Sequence, residues 1–325
     1  MISNKKKHCF YPLTVFLFAS IILYSCQSGS GHDDTTFPNS PDSVTLLHGT
    51  GSMVFDYGSG NDTLVQKTYY VRYAAHPLED TCFLTYGANK KVVNAVIKLY
   101  TSSYYHWTKL PVFGVYVGDK LIKVYRKPEV SIYADDEYDD PAYCNTLGPT
   151  DPSNFNDYDS IAYDSRSRVS KVYHYGSNGQ VYQYDQFTYN SPGTYNNGGD
   201  SLVYLIEKYT DQNYTGTFSL AAKAYFSNYD LGKVNPLYKA FKEYCFFLAP
   251  RFSLDTQPTD LNDDGLSKYI SLNPYPLNRL AFKDNGTYPT VTITNTYDAN
   301  GRLINASSTN FYTVNVGYSY IKKRK

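Results

Sequence analysis

The clearest candidate for a metal site is a short acidic run. Asp260, Asn262 and Asp264 supply side-chain oxygens at alternating positions, and Gly265 follows them. This is the order of the first ligands of a calcium-binding loop, in which the glycine permits a sharp turn. The twelfth position, which usually carries a bidentate carboxylate, is Ser271. Two interpretations stay open: a polar surface turn, which these residue types favour, and a Ca²⁺ site. No other cofactor is expected.

A cluster of rings is the second candidate site. Tyr104, Tyr105, His106 and Trp107 are consecutive, and Trp107 is the single tryptophan of the chain. Exposed aromatic rings offer apolar surfaces on which the faces of sugars can stack. A place in the core of a sheet is the alternative for such rings. We name Trp107, Tyr104 and Tyr105 as candidate ligand-binding residues, for a glycan or an envelope protein.

Signals for catalysis are weak. The sequence contains no G-x-S-x-G motif, phosphate-binding loop or dinucleotide fingerprint. His174 alternates with Tyr173 and Tyr175, and we interpret it as an exposed strand residue and not as a catalytic base. Spacing alone does not identify the pair of carboxylates that glycoside hydrolysis needs. We expect no catalytic residues, with a hydrolase acting on an envelope polysaccharide as the alternative.

Composition indicates which elements hold these residues. The 325 residues include 37 tyrosines against 17 phenylalanines, and tyrosine favours strands and half-buried faces. The sequence therefore predicts a mainly β protein and not a helical bundle. Lysine plus arginine and aspartate plus glutamate number 30 each, and this balance argues against nucleic-acid binding.

The N-terminal segment is typical of an export signal. Residues 1–25 contain the basic run Lys5 to Lys7 and then an apolar stretch that is too short to span a bilayer. The segment ends in Leu-Tyr-Ser before Cys26, which resembles the lipobox of bacterial lipoproteins. The resemblance implies that Cys26 receives lipid and becomes the first residue of the mature protein. An ordinary secretory signal is the alternative. Several acyl chains would hold the protein stably on a membrane.

The next segment, residues 26–42, is rich in Ser, Gly, Asp and Pro and is predicted to be a flexible tether. Gln27 is not the aspartate that marks retention at the inner membrane of enteric-type bacteria, so we expect an outer-membrane lipoprotein. Whether it faces the periplasm or the surface stays open. Beyond the leader, Cys82, Cys144 and Cys245 can form at most one disulfide.

Period-two apolar runs predict an N-terminal β unit over residues 43–134, including a hairpin whose two-residue loop is Gly118-Asp119. Residues 135–158 are rich in Asp, Pro and Asn and form the predicted linker. A second β unit is predicted over residues 159–325. The expected arrangement is an antiparallel meander, as an open sheet or a partial barrel.

An internal repeat lies in the second unit. Residues 163–169, 175–181 and 297–303 share a tyrosine, a short polar segment with Gly or its equivalent, and then an apolar residue. We interpret each copy as a hairpin with a type I′ turn. Tyrosines at 173, 175, 182, 184 and 189 are predicted to line one face of the meander.

The copy at 297–303, Tyr-Asp-Ala-Asn-Gly-Arg-Leu, resembles the YD (Rhs-like) repeat. Together with the lipobox and the segment Asn-Pro-Leu-Tyr at 235–238, the leader and residues 158–325 resemble uncharacterised Bacteroidota lipoproteins built from YD-like hairpins. The resemblance implies a β-hairpin scaffold and no assigned activity.

One helix is predicted at about 236–248. Asn235 is a suitable N-cap, Pro236 fits the first helical position, and Pro250 ends the apolar periodicity. We expect this helix to pack against the sheet. The sequence thus predicts an outer-membrane lipoprotein with a structural or ligand-binding role, attached to the membrane through Cys26.

Overall fold

The computed structural model describes residues 43–50, 53–57, 63–70, 80–101, 106–126, 130–133, 157–189, 202–211, 213–241, 244–247, 267–283, 290–308 and 314–324. The predicted leader, the tether and most of the predicted linker lie outside these ranges, although Asp157 and Tyr158 belong to a strand. The division into two β units therefore stays a prediction. Within these ranges no helix has the length and apolar character needed to cross a bilayer.

Strands dominate the described residues, as the tyrosine-rich composition predicts. The first eight are β1 (Ser43–Thr50), β2 (Met53–Asp56), β3 (Lys67–Tyr70), β4 (Asp80–Tyr86), β5 (Val92–Thr101), β6 (His106–Val117), β7 (Lys120–Arg126) and β8 (Val130–Tyr133). The others are β9 (Asp157–Tyr163), β10 (Val169–Tyr175), β11 (Val181–Tyr189), β12 (Val203–Thr210), β13 (Ser219–Tyr229), β14 (Leu277–Lys283), β15 (Thr290–Tyr297), β16 (Leu303–Ser308) and β17 (Val314–Arg324). The mainly antiparallel β fold is confirmed.

Pairing follows the order of the chain, as in a meander. Each strand pairs antiparallel with the next, with one exception. Strand β8 pairs with β6, and β7 therefore pairs with β9 instead of β8. The first strand pairs with β2 through Gly49 and Val54 and with β17 through Leu46 and Ile321. The last strand of the sequence therefore pairs with the first.

The predicted type I′ turns of the repeat are wrong. Each turn has a single residue with positive φ: Ser167 (62°), Gly179 (73°) and Gly301 (75°). In the turn before Gly179, its N–H donates to the carbonyl of Gly176, and the register shifts where the strands resume. This is a type I turn followed by one left-handed residue and a bulge, because the loop holds more residues than a two-residue turn. The predicted two-residue loop at Gly118-Asp119 is confirmed.

Hydrogen bonds from tyrosine hydroxyls link neighbouring strands on the side of the sheet where alternate strands end. Alternate strands of a meander end on the same side of the sheet, and several of them carry, at or near that end, a tyrosine whose hydroxyl donates to a backbone carbonyl near the start of the neighbouring strand. The bonds run from Tyr116 to Val92 (3.0 Å), from Tyr163 to Leu121 (2.9 Å), from Tyr189 to Val169 (2.9 Å) and from Tyr320 to Leu303 (2.7 Å). Each bond satisfies a carbonyl beside a bulge and contributes about 1 kcal/mol. Much of the tyrosine excess therefore stabilises the scaffold.

The core lies on one face of the strands. Buried positions alternate along β10 and β11, where Val172 and Phe187 are examples. On the opposite face Tyr173 contacts Tyr184, and Tyr158 stacks on Tyr175 with ring centroids 4.2 Å apart. The prediction that all five tyrosines line this face is wrong for Tyr189, whose position has the same parity as Phe187 and whose hydroxyl points to a neighbouring strand.

The single short helix is confirmed, but it is shorter than predicted. Helix α1 spans Pro236–Phe241, and residues Tyr244–Phe246 form a 3₁₀ turn. Asn235 caps the helix, because its side-chain oxygen accepts from the N–H of Leu237 at 3.0 Å. Cys245, Phe246 and Phe247 are all buried. Three consecutive residues span about 200° around a regular helix, so this buried run does not share one face of a continued helix.

Candidate functional site

The predicted site residues fall mainly outside the described part of the chain. Cys26, Tyr104, Tyr105 and the calcium-loop residues Asp260, Asn262 and Asp264 lie there. Trp107 lies in β6, where its backbone is opposite Tyr100 and Ile132. Lipidation, the aromatic platform and the Ca²⁺ site therefore stay predictions. Among the described residues, Cys82 and Cys245 are buried and are not joined in a disulfide.

A cleft is formed by described residues of several strands and turns. It has a volume of about 570 Å³ and lies where the turns after β4, β6 and β9 meet α1 and the 3₁₀ segments. Its lining residues are Lys91, Tyr116, Asp119, Lys120, Leu121, Tyr163, Arg166, Ser167, Arg168, Val169, Tyr189, Tyr238, Phe246, Leu272 and Pro274. Tyrosines at or next to the ends of β6, β9 and β11 thus form part of its wall.

These tyrosine rings are held in place. Tyr116, Tyr163 and Tyr189 each donate a hydroxyl hydrogen bond to the backbone carbonyl of a neighbouring strand. Burial is the main reason why the pKa of Tyr189 lies well above its usual value, and Arg168 opposes that shift. The hydrogen bonds hold the three rings in fixed positions, which lowers the entropy that a bound ligand would have to remove.

Cations lie among the rings. The guanidinium of Arg168 is 4.3 Å from the centre of the Tyr189 ring, and the ammonium of Lys120 is 5.2 Å from that of Tyr163. Arg168 also pairs with Asp164, whose carboxylate accepts from Nε and approaches Nη2, both at 2.7 Å. Desolvation opposes the shift, but hydrogen bonds from Arg168 and the N–H of Arg166 lower the pKa of Asp164. The pair is therefore charged at neutral pH.

A buried network of charged groups lies on the core face of β7, β9, β10 and β11. Arg126 donates to Asp159 at 2.5 Å, and His174 lies directly opposite Asp159 in the strand register. The ring of His174 contacts Asp159 at 2.7 Å through Nδ1 and Asp185 at 3.1 Å through Nε2. Tyr269 completes the network by donating to Asp185 at 2.8 Å. No side chain in the three ion pairs among Arg126, Asp159, His174 and Asp185 is more than 10% exposed.

The contacts favour the charged form of His174. A carboxylate oxygen lies within hydrogen-bond distance of each ring nitrogen, and a doubly protonated imidazole can donate to both. Burial alone would lower the pKa of His174, but Asp159 and Asp185 outweigh it and raise that pKa to about 9. Arg126 and His174 in turn lower the pKa of Asp159 well below its usual range, against the effect of burial. The two cations balance the two carboxylates, which makes their burial tolerable.

The interpretation of His174 as an exposed residue is wrong. Its side chain is on the buried face because it lies two positions from Val172, a core residue, and residues i and i+2 share a face of a strand. The sequence analysis grouped His174 with its neighbours Tyr173 and Tyr175, whose side chains lie on the other face. The position of His174 two residues after the apolar Val172 was the signal that could have shown its burial. The partners Asp159 and Asp185 could not be read from the sequence, because they depend on the register of three strands.

The cleft and the network are adjacent layers. Phe246 lines the cleft, and its ring centroid is 6.3 Å from that of Tyr269, which bonds to Asp185 in the network. The charges of the network thus lie beneath an aromatic layer, and the cleft above it is lined by fixed rings and cations. Among the described residues that line the cleft, Asp119 is the only carboxylate. Hydrolysis of a glycoside by two carboxylates needs a second one facing it.

The sequence alone did not indicate this cleft. The hairpin turn Tyr86 to Val92 repeats the hydrogen bonding of the predicted repeat, with Lys90 at the left-handed position (φ 60°), but it lacks glycine there. A tyrosine six residues before an apolar residue, with Asn89 between them, was the signal that could have found it. Lys91, at the end of this turn, lines the cleft.

Comparison with known proteins gives no family. No family model matches the chain, and no curated protein matches it. Among solved structures, it is similar to a porin-like protein from Bacteroides uniformis (12% identity, 88% of this chain and 100% of that chain, TM-score 0.37). A porin-like protein from Bacteroides vulgatus matches at 11% identity, over 85% of each chain, with a TM-score of 0.28. The Tc holotoxin pore of Photorhabdus luminescens matches at 14% identity, over 83% of this chain and 12% of that chain, with a TM-score of 0.19. TM-scores this low do not establish a shared fold, so the case for a function comes from the residues of the chain.

Proposed function

We propose that the protein is a lipoprotein of the outer membrane that binds a glycan in the cleft and catalyses no reaction. The observation that carries the proposal is the wall of tyrosine rings around the cleft, three of which, Tyr116, Tyr163 and Tyr189, are held by a hydroxyl hydrogen bond to the backbone. Sugars present C–H groups on the faces of their rings and hydroxyls at the edges. A site with fixed aromatic faces and polar side chains between them matches both.

The dimensions of the cleft favour a small ligand over a protein surface. Its volume of about 570 Å³ is within the range of roughly 300–1,000 Å³ that is usual for small-molecule sites. A stable protein interface buries about 800 Å² on each partner and is normally much flatter. An oligosaccharide of a few units is therefore the class of ligand that fits best.

A glycan array tests the proposed binding. The wild-type protein without its leader should bind at least one class of oligosaccharide, and Tyr238→Ala should weaken that binding because it removes a ring from the cleft wall. Tyr204→Ala is the matched control, since Tyr204 is 42% exposed and is not among the residues lining the cleft. An array without signal, or equal losses in the two variants, would overturn the proposed site.

Anchorage rests on the sequence before Cys26 and has its own test. Full-length protein expressed in its bacterial host should incorporate labelled palmitate and fractionate with the outer membrane. Cys26→Ala should lose the label and leave the outer-membrane fraction, because the thiol that accepts lipid is gone. Unlabelled wild-type protein, or a variant that still fractionates with membranes, would contradict lipid anchorage while leaving the glycan site untouched.

A further inference from the structure

We infer that one face of the sheet docks on a membrane surface that carries anionic phosphate headgroups. This face lies opposite the core on β7 and β9 to β13, and we call it the tyrosine face. Its rings are those of Tyr125, Tyr158, Tyr173, Tyr175, Tyr184 and Tyr209, all half-buried. None of these residues lines the cleft, so the inference goes beyond the proposed glycan site.

Strand register arranges these tyrosines in two rows across the strands. In one row Tyr158 lies between Tyr125 and Tyr175, and in the other Tyr184 is opposite Tyr209. The ring centroids of Tyr158 and Tyr175 are 4.2 Å apart, with the planes inclined by 11°. Those of Tyr184 and Tyr209 are 4.8 Å apart, with an angle of 17°. Rings that stack from strand to strand turn their edges outward, because the stacking direction lies in the plane of the sheet. A sugar needs an open ring face, so a glycan is not the ligand that fits these rows.

Two lysines lie among the rings. The ammonium of Lys123 is 5.1 Å from the centre of the Tyr158 ring, and that of Lys171 is 4.8 Å from the centre of the Tyr184 ring. Both lysines are half-buried, so their stems lie along the rings. The rings thus place the two positive charges at fixed points of the tyrosine face.

The charge on this face is not balanced locally. Lys123 and Lys171 form no ion pair with any described residue. Among the described residues of these strands, Glu207 is the only carboxylate on this face, and it pairs with Lys223 directly opposite it at 2.5 Å. The tyrosine face therefore carries two cations that no described carboxylate offsets.

This combination of side chains favours the headgroup layer of a membrane. Tyrosine places an apolar ring beside a polar hydroxyl, and lysine holds its charge at the end of an apolar stem, so both are favoured where hydrocarbon meets water. Leu220, which is opposite Tyr209 in the register and 40% exposed, adds apolar surface at the end of one row. The two ammonium groups complement phosphate groups in charge.

A protein partner is the alternative, and the lysines argue against it. Lysine is depleted in the buried centre of protein interfaces, where its charge would lose water. Lys123 is on β7 and Lys171 is on β10, so a protein that covered both rows of rings would bury the two cations. A headgroup layer leaves them hydrated and next to phosphate.

Cosedimentation with vesicles tests the inference on protein without its leader and without lipid at Cys26, so that the tyrosine face acts alone. Binding to phosphatidylcholine vesicles should rise at least about tenfold when phosphatidylglycerol is included, and should weaken as salt is raised, because exposed charges attract each other. Equal binding to the two kinds of vesicle, or no binding to either, would overturn the inference and leave the glycan site untouched. A glycan array without signal would overturn the glycan site and leave this inference standing.

Variants separate the tyrosine face from general surface charge. Lys123→Gln and Lys171→Gln should each weaken binding to the anionic vesicles about fivefold, because each removes one of the two cations. Lys171→Arg keeps the charge and should bind like the wild type. Lys233→Gln is the matched control, since Lys233 is also half-buried and lies 4.9 Å from the centre of a tyrosine ring, that of Tyr297, but belongs to the turn after β13. It should bind like the wild type. Equal losses in Lys233→Gln and in the two variants of the face would show a general attraction of charge and overturn docking through this face.

Discussion

His174 and Asp159 lie directly opposite each other on β10 and β9, and the ring nitrogen Nδ1 is 2.7 Å from the carboxylate in a fully packed core. The pair belongs to the buried network of side chains that extends from Arg126 to Tyr269. Because the carboxylates of Asp159 and Asp185 lie at the two ring nitrogens of His174, folding favours the charged form of this histidine. The fold therefore depends on a protonation state that an exposed histidine would lose near neutral pH.

The pH dependence of stability follows from this shift. The pKa of His174 is about 9 in the folded protein, against 6.5 for an unperturbed histidine. A raised pKa means that the stabilisation is complete below pH 6.5 and disappears as the pH rises through about 9. It amounts to about 3 kcal/mol. Urea unfolding of the wild type at pH 6, 7.5 and 9.5 should show this decline.

A variant isolates the contribution of the imidazole. His174→Gln should be less stable than the wild type by about 3–5 kcal/mol at pH 6, because one of two buried cations is removed while the carboxylates remain. The difference should narrow towards pH 9.5, where the wild type also loses that charge. A difference that stays constant across this range would show that His174 is not charged in the folded state.

The hydroxyl of Tyr269 gives a second prediction for the network. Tyr269→Phe keeps the ring, which packs edge-on against Phe187 at 4.8 Å, and removes only the donor to Asp185. Hydrogen bonds to charged groups contribute about 1.5–3 kcal/mol, so the free energy of unfolding in urea should fall by that amount. Tyr204→Phe, at an exposed tyrosine, is the control and should change stability by less than about 0.5 kcal/mol. Equal effects in the two variants would show that the hydroxyl of Tyr269 does not stabilise the network.

Local patterns predicted the parts of this fold that depend on few neighbours. Alternating apolar residues located β5 and β7, and Asn235 followed by Pro236 marked the start of the helix, because a strand face and a cap are set within a few residues. The turns at 163–169 and 297–303 were placed correctly, but their type was not, since a bulge depends on how both strands pair. The predicted length of the helix was wrong for a related reason. The three consecutive residues 245–247 are all buried, and this burial depends on packing with distant parts of the chain and not on helical periodicity.

The site was less predictable than the scaffold. The cleft is assembled from three turns far apart in sequence, together with α1 and the 3₁₀ segments, and no single segment carries a motif for it. The network joins Asp159 to His174 across 15 residues and Tyr269 to Asp185 across 84. Such contacts are fixed by strand register and by the packing of a distant segment. Parity along β10 could have shown only that His174 shares a face with Val172, and the sequence analysis interpreted His174 as exposed.

The left-handed turn position predicts opposite effects at two equivalent sites. Ser167 has φ of 62°, which costs a residue with a Cβ about 1–2 kcal/mol, so Ser167→Gly should stabilise the protein by up to about 1 kcal/mol after the extra flexibility of glycine in the unfolded chain is counted. Gly301→Ala places the same strain at φ 75° and should destabilise by about 1 kcal/mol. Thermal unfolding of both variants checks the signs. Changes of the same sign would mean that the two turns are not equivalent.

A close approach between the sheet and the segment that follows α1 gives the last prediction. A Cβ added at Gly114 of β6 would collide with the ring of Phe247, which is buried in the core. Gly114→Ala should therefore destabilise the protein by about 1–3 kcal/mol, because the ring cannot move without disturbing its neighbours. Phe247→Leu alone should also destabilise, through the space it leaves. Combined, the two changes should cost less than their sum by about 0.5–3 kcal/mol, since the smaller side chain makes room for the new methyl group. Urea unfolding of the four proteins in this cycle measures the coupling, and strictly additive losses would show that Phe247 does not pack on Gly114 in solution.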